Sequence, residues 1–159
     1  MGLGAALWQE LVDDVPGNVE FARLTVRLLF AVILGGVLGF QRADAGKAAG
    51  MRTYMLVTLG AALVVLLPQL AGMSSADLSR IIQGIVTGIG FIGGGVILKM
   101  SEEHKTVGVT TAASIWLTAT IGIAAGTGRL SLAVVGTILG FIILMILGPL
   151  ERWMIGRDK

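Results

Sequence analysis

Residues 88–95 read GIGFIGGG. The spacing Gly88-x-Gly90-x-x-Gly93 matches the fingerprint that cradles a dinucleotide pyrophosphate. That fingerprint works only between a strand and a helix of a βαβ unit, with an acidic residue about 20 positions later for the ribose. Ala112 and Ala113 stand at that distance here, and the octapeptide lies inside an uncharged run from Ile81 to Leu98. A helix needs about 20 apolar residues, at about 1.5 Å each, to cross a bilayer. The nucleotide reading fails on context, and the glycines belong to a membrane span.

The rest of the chain agrees. Of its 159 residues 55% are hydrophobic and 14% charged, against about 25% charged in soluble domains. The mean hydropathy is +0.88. Too few polar side chains are present to cover a water-facing surface, so the class is an integral membrane protein. The net charge is +2, with basic residues scattered rather than in a tract, and no nucleic acid partner is expected. With no cysteine, disulfides and thiol chemistry are excluded. The first 20 residues carry no Lys or Arg and no long apolar run, and do not read as a secretory signal.

Five apolar stretches are expected to cross the membrane: Leu24–Phe40, Tyr54–Ala71, Ile81–Leu98, Thr110–Thr127 and Leu130–Leu147. None alternates at period two as a barrel strand would, and helices alone satisfy their own backbone in lipid. The expected fold is an all-α membrane protein of five transmembrane helices. Residues 1–20 form an N-terminal interfacial segment, with Ala5 to Val12 as a short surface helix. Residues 21–151 form the membrane domain, which Pro149 helps to end, and 152–159 a short cytoplasmic tail. With the N-terminus outside, the inner segments hold Arg42, Lys47, Arg52, Lys99, Lys105, Arg152, Arg157 and Lys159. The outer segments hold Arg23, Arg27, Arg80 and Arg129. That bias favours N-terminus out and C-terminus in.

Twenty-four residues are glycine, about twice the average share. They recur at four-residue spacing, as in Gly35/Gly39, Gly84/Gly88, Gly90/Gly94, Gly122/Gly126 and Gly136/Gly140. Lipid supplies no hydrophobic drive between helices, so small residues that permit close approach mark contacts within a bundle or across a homodimer. Gly84, Gly88, Gly90, Gly93, Gly94 and Gly95 are therefore read as helix-packing. The sharper alternative is pore-lining, with a broken third helix presenting bare carbonyls to an ion.

The polar residues form two groups. Arg42, Asp44, Lys47 and Arg52 crowd the first inner connection, with Asp44 expected to pair with a base. The plain reading is a basic loop facing anionic headgroups. The functional reading is a charged cluster at the inner mouth of the bundle, joined by Thr53, Thr58, Thr110, Thr111 and Ser114. At the outer side stand Arg23, Arg27, Asp77 and Arg80. Arg27 lies inside an apolar run and needs a partner, for which Glu20 or Asp77 is available. Ser75 or Asp77 is expected to cap the third helix, and Gln83 to be buried. His104, between acids in a short loop, reads as solvated. No nucleophile–base arrangement or metal-ligand spacing is legible, no carboxylate lies mid-span, and no cofactor or enzymatic activity is expected.

Three stretches carry a resemblance: AGMRTYMLVTLGAAL (49–63), SRIIQGIVTGIGFIGGGVI (79–97) and GVTTAASIWLTATIGIAAGTG (108–128). They are similar to the membrane domain of the MgtC/SapB family of bacterial inner-membrane proteins, over about Glu20 to Glu151. The resemblance implies a five-helix domain and a link to growth under magnesium limitation and to survival of pathogens inside macrophages. It implies regulators rather than established pumps, with ATP synthase and membrane potential as proposed targets. Its inner-loop signature falls on Arg42, Lys47, Gly50, Arg52 and Thr53. Its glycine-rich helix falls on Arg80, Gly88, Gly90, Phe91, Gly93 and Gly95. Its fourth-helix signature falls on Gly108, Thr110, Thr111, Ala112, Ala113 and Trp116. The family's usual Glu-Arg after helix one is Gln41-Arg42 here, which shifts the acid's role to Asp44 or removes it. Longer members add an ACT-like soluble domain, which is not expected in this short chain. The resulting expectation is a homodimeric, multi-pass inner-membrane regulator that acts through partner complexes. A small channel with a path beside the third helix is the alternative.

Overall fold

The computed structural model describes residues 17–99 and 107–147, with the isolated positions 2 and 4. The expectations for Ala5–Val12, for Glu102, Glu103 and His104, for Pro149 and for the 152–159 tail lie outside the described residues. Residues 17–99 and 107–147 form five helices: α1 Asn18–Asp44, α2 Met51–Leu70, α3 Ser75–Lys99, α4 Val109–Gly126 and α5 Leu130–Ile142, the last continuing as a π-turn over Ile143–Leu147. All five stretches are long and apolar enough to cross a membrane, and the described residues include no strand. The all-α, five-span expectation holds.

α1 runs beyond its apolar stretch at both ends. Glu20 and Arg23 at one end and Gln41 and Arg42 at the other stay helical. Long polar side chains near a membrane surface bury their stems and keep their heads in reach of polar groups, so they need not end a helix. The connections are tight. Gly128, at φ +79, closes α4, with its N–H on Ala125 O and the Arg129 N–H on Ala124 O. This paired closure satisfies two carbonyls that the helix end would leave bare. Gly46 and Gly72 end α1 and α2 with the same bond pattern. At the start of α3, Ser74 is the cap rather than Ser75 or Asp77. Its Oγ accepts the Asp77 N–H at 3.2 Å and donates to the Asp77 carboxylate at 2.6 Å. The acid sits in the third helical position, where it also favours the helix dipole.

α4 is the central helix and touches the other four. Half of its apolar window is buried, against 6% for α3. Glycines set the spacing of this core, but not the ones in GIGFIGGG. A Cβ at Gly122 would strike the Thr58 carbonyl and lie 2.9 Å from Ala61 Cβ, and one at Gly126 would lie 2.6 Å from Ala62 O. Gly35 and Gly39 bring α1 onto α2 at Tyr54, Thr58 and Met51, and Gly140 brings α5 onto Leu117. In α3, Gly93 meets Ala112 at 3.5 Å, whereas a Cβ at Gly84, Gly88, Gly90, Gly94 or Gly95 meets nothing within 4 Å. The expectation that these five pack against neighbouring helices of the chain is overturned. Their spacing is helical, but a side chain at any of them would enter open space, which at Gly88 is a cleft between α2 and α3. α3 is also continuous, with no break to expose carbonyls.

Gly122→Ala therefore costs about 1–3 kcal/mol, the usual range for overpacking. Gly84→Ala leaves stability unchanged or raises it by up to about 1 kcal/mol through helix propensity. Reversible unfolding in mixed detergent micelles, followed by circular dichroism, measures both. Equal effects at the two sites would contradict the packing described here.

Candidate functional site

The basic group expected at one end of the bundle separates into a buried part and an exposed part. Arg42, in the last turn of α1, is only 4% exposed. Its Nη2 donates to Thr111 Oγ1 at 2.7 Å. Thr111 sits in the first turn of α4, and its carbonyl accepts from Ser114 Oγ at 2.9 Å. The Ser114 hydroxyl is in turn hydrogen-bonded to the Tyr54 hydroxyl of α2. Three helices are thus joined by a chain running Arg42, Thr111, Ser114, Tyr54, all of it buried. The guanidinium also benefits from its place at the carbonyl end of α1. Its Nε and the Oε1 of Gln41 are buried and meet no hydrogen-bond partner among the described residues.

Gln41 donates through Nε2 to the Leu144 carbonyl at 3.3 Å, within the π-turn. A π-turn leaves backbone groups out of the ordinary ladder, and this amide reaches one of them. An ionised glutamate at position 41 would offer that carbonyl no donor, so the Gln suits the contact.

Asp44, Lys47, Arg52 and Thr110 are exposed and Thr53 half-buried. The charged-cluster reading would pair Asp44 with a base, and no such pair occurs among the described residues. Among the described residues, the ion pair is the exposed Arg80–Asp77 contact at 3.5 Å. Thr58 is fully buried but spends its hydroxyl on the carbonyls of Tyr54 and Met55, and Thr118 does the same with Ser114 O at 2.7 Å. Nothing in the sequence around Tyr54 singles it out. A lone aromatic at the start of an apolar run carries no signal that its hydroxyl will meet a serine 60 residues away.

The charged group at the other end of the bundle also divides. Arg27 pairs with neither Glu20 nor Asp77. Its Nη1 donates to Gly126 O at 3.3 Å, at the carbonyl end of α4, where a cation is favoured. Gln69 Nε2 reaches the same carbonyl at 3.4 Å. Gly128 is doubly required here, because a Cβ would also lie 2.7 Å from Arg27 Nη2. Arg23 is exposed and joins neither pair. Gln83 is exposed on α3 rather than buried.

The last feature is an apolar cleft of about 510 Å³. Its walls are α2, at Thr53, Leu56 and Gly60, and α3, at Ile85, Gly88 and Ile92, with Ala119 of α4 as its floor. Thr53 supplies its one side-chain hydroxyl. No group of His, Asp and Glu suited to a metal occurs among the described residues.

The MgtC family model matches residues 28–153. Among similar proteins, SrpB of Synechococcus elongatus is 41% identical over 84% of this chain. YhiD of Escherichia coli K12 is 38% identical over 86%, and MgtC of Brucella abortus 39% identical over 77%. The chain spans 78%, 66% and 50% of those proteins, respectively. No solved structure matches it. A family match over most of the length, on five apolar helices of the expected number and order, places this multi-pass membrane protein in the MgtC family.

Proposed function

We propose that the chain is a non-enzymatic regulator of magnesium homeostasis or membrane energetics in a bacterial inner membrane, N-terminus outside, acting on partner complexes rather than conducting ions. The magnesium link rests on relatives, one of which bears the name "Putative magnesium transporter YhiD". The observation that carries the regulatory reading is the outward face of α3. Gln83, Thr87, Gly90 and Phe91 are exposed there, Phe91 at 88%, and the glycines leave that face open. A face meant only for acyl chains has no use for an amide and a row of glycines. Small and polar residues let a second transmembrane helix approach closely and hydrogen-bond. A second copy of this chain, or another membrane complex such as an ATP synthase, is the partner this face suits.

The channel alternative needs a path beside α3. The space there is the α2–α3 cleft, whose lining offers a single hydroxyl and no carboxylate. Magnesium gives up its water reluctantly and is held by oxygen ligands in octahedral geometry, so this lining favours the regulatory reading.

A Cβ at Gly90 or Gly94 meets nothing within 4 Å, so Gly90→Leu and Gly94→Leu are expected to leave fold and production unchanged. Both are expected to abolish rescue of a deletion strain under magnesium limitation and recovery of the crosslinked partner. Full rescue by both variants would contradict the role of the α3 face. In proteoliposomes loaded with a magnesium-sensitive dye, flux is expected to equal that of protein-free vesicles. Flux that rises with protein content would favour the channel instead.

A further inference from the structure

We propose that the α2–α3 cleft is a binding site for one anionic phospholipid, with an acyl chain along the cleft and the phosphate against Arg52. The cleft is concave and apolar on three sides, and its walls belong to different helices, so a chain lying in it is enclosed more fully than one on a convex helix surface. Its length along the membrane fits one leaflet. The lining of α2 runs from Thr53 to Val64, about 16 Å at 1.5 Å per residue, roughly half of the ~30 Å hydrocarbon core. Gly60 on one wall and Gly88 on the other both have open space at the Cβ position, so part of the cleft's volume is left by missing side chains.

The headgroup end has matching charge. Arg52 is exposed at the start of α2, next to Thr53 and one helical turn before Leu56, which lines one edge of the cleft. The Thr53 hydroxyl marks the point where the apolar lining begins. Lys47 is exposed at the same end, where Asp44 is the exposed acid among the described residues. A basic residue near an anionic surface contributes about fivefold in binding. A zwitterionic headgroup would use the cleft without using Arg52, which makes the anionic class the better fit. The site is separate from the partner face, because Gly90 lies on the side of α3 turned away from the cleft.

Native mass spectrometry of the purified chain, incubated with dioleoyl phosphatidylglycerol or dioleoyl phosphatidylcholine, tests this. One tightly retained phosphatidylglycerol per chain is expected. Arg52→Gln reduces the preference over phosphatidylcholine about fivefold. Gly60→Leu grows into the cleft and loses the retained lipid of either kind. Gly84→Leu, outside the cleft lining, keeps it. If circular dichroism shows that Gly60→Leu does not fold, Gly88→Leu fills the cleft from the other wall. Wild-type retention in a folded cleft-filling variant overturns the proposal. So does equal retention of the two lipids by the wild type, or an unchanged preference in Arg52→Gln.

Discussion

In a bilayer, α2 and α4 gain nothing by hiding apolar surface from each other, because the surrounding chains are as apolar as they are. What holds them is close contact between backbones, where many weak attractions act at short range. Gly122 and Gly126 permit that contact by presenting bare backbone to Thr58, Ala61 and Ala62. The other placements follow from it. α1 settles on α2 through Gly35 and Gly39, α5 closes on α4 at Gly140, and the buried hydroxyls find one another only because the backbones are this near.

The polar chain from Arg42 to Tyr54 depends on that closeness and adds direction to it. Dispersion alone would tolerate several rotations of one helix about another. A guanidinium that must meet one particular hydroxyl does not, because losing a hydrogen bond to a buried charged group costs more than losing a neutral one. Thr111 is within 2.7 Å of Arg42 in one rotation of α4. Gln41 and the π-turn of α5 act in the same way at the neighbouring interface.

Much of this architecture is legible in the chain's hydropathy. Five uncharged or nearly uncharged runs give five helices, and their ends are found within a few residues except at the starts of α1 and α3, where polar and charged residues extend each helix by six positions. The glycine spacing is legible, but its direction is not. Gly84/Gly88 and Gly122/Gly126 share one four-residue period, and nothing local distinguishes the pair that meets Thr58 from the pair that meets open space. Direction is set by which helices end up adjacent, a property of the whole bundle. For the same reason Arg42 and Thr111 can be singled out as polar residues near one membrane surface, but the split between them and the exposed Lys47 and Arg52 cannot. Arg27 shows the limit most clearly: charge matching suggests a carboxylate, whereas the partner is a backbone carbonyl at a helix end, which any residue type supplies.

The carbonyl of Gly126 is held by side chains from two other helices, Arg27 of α1 and Gln69 of α2. At the opposite end of α4, Thr111 is held by Arg42, again from α1. The central helix is thus pinned at both membrane surfaces. A shift along its own axis by one residue, about 1.5 Å, would stretch the bonds at both ends at once. Piston-like sliding of the kind used to carry a signal through a membrane is closed to α4. Among the described residues α3 has no side-chain hydrogen bond to another helix, so any such displacement falls to α3 rather than to α4.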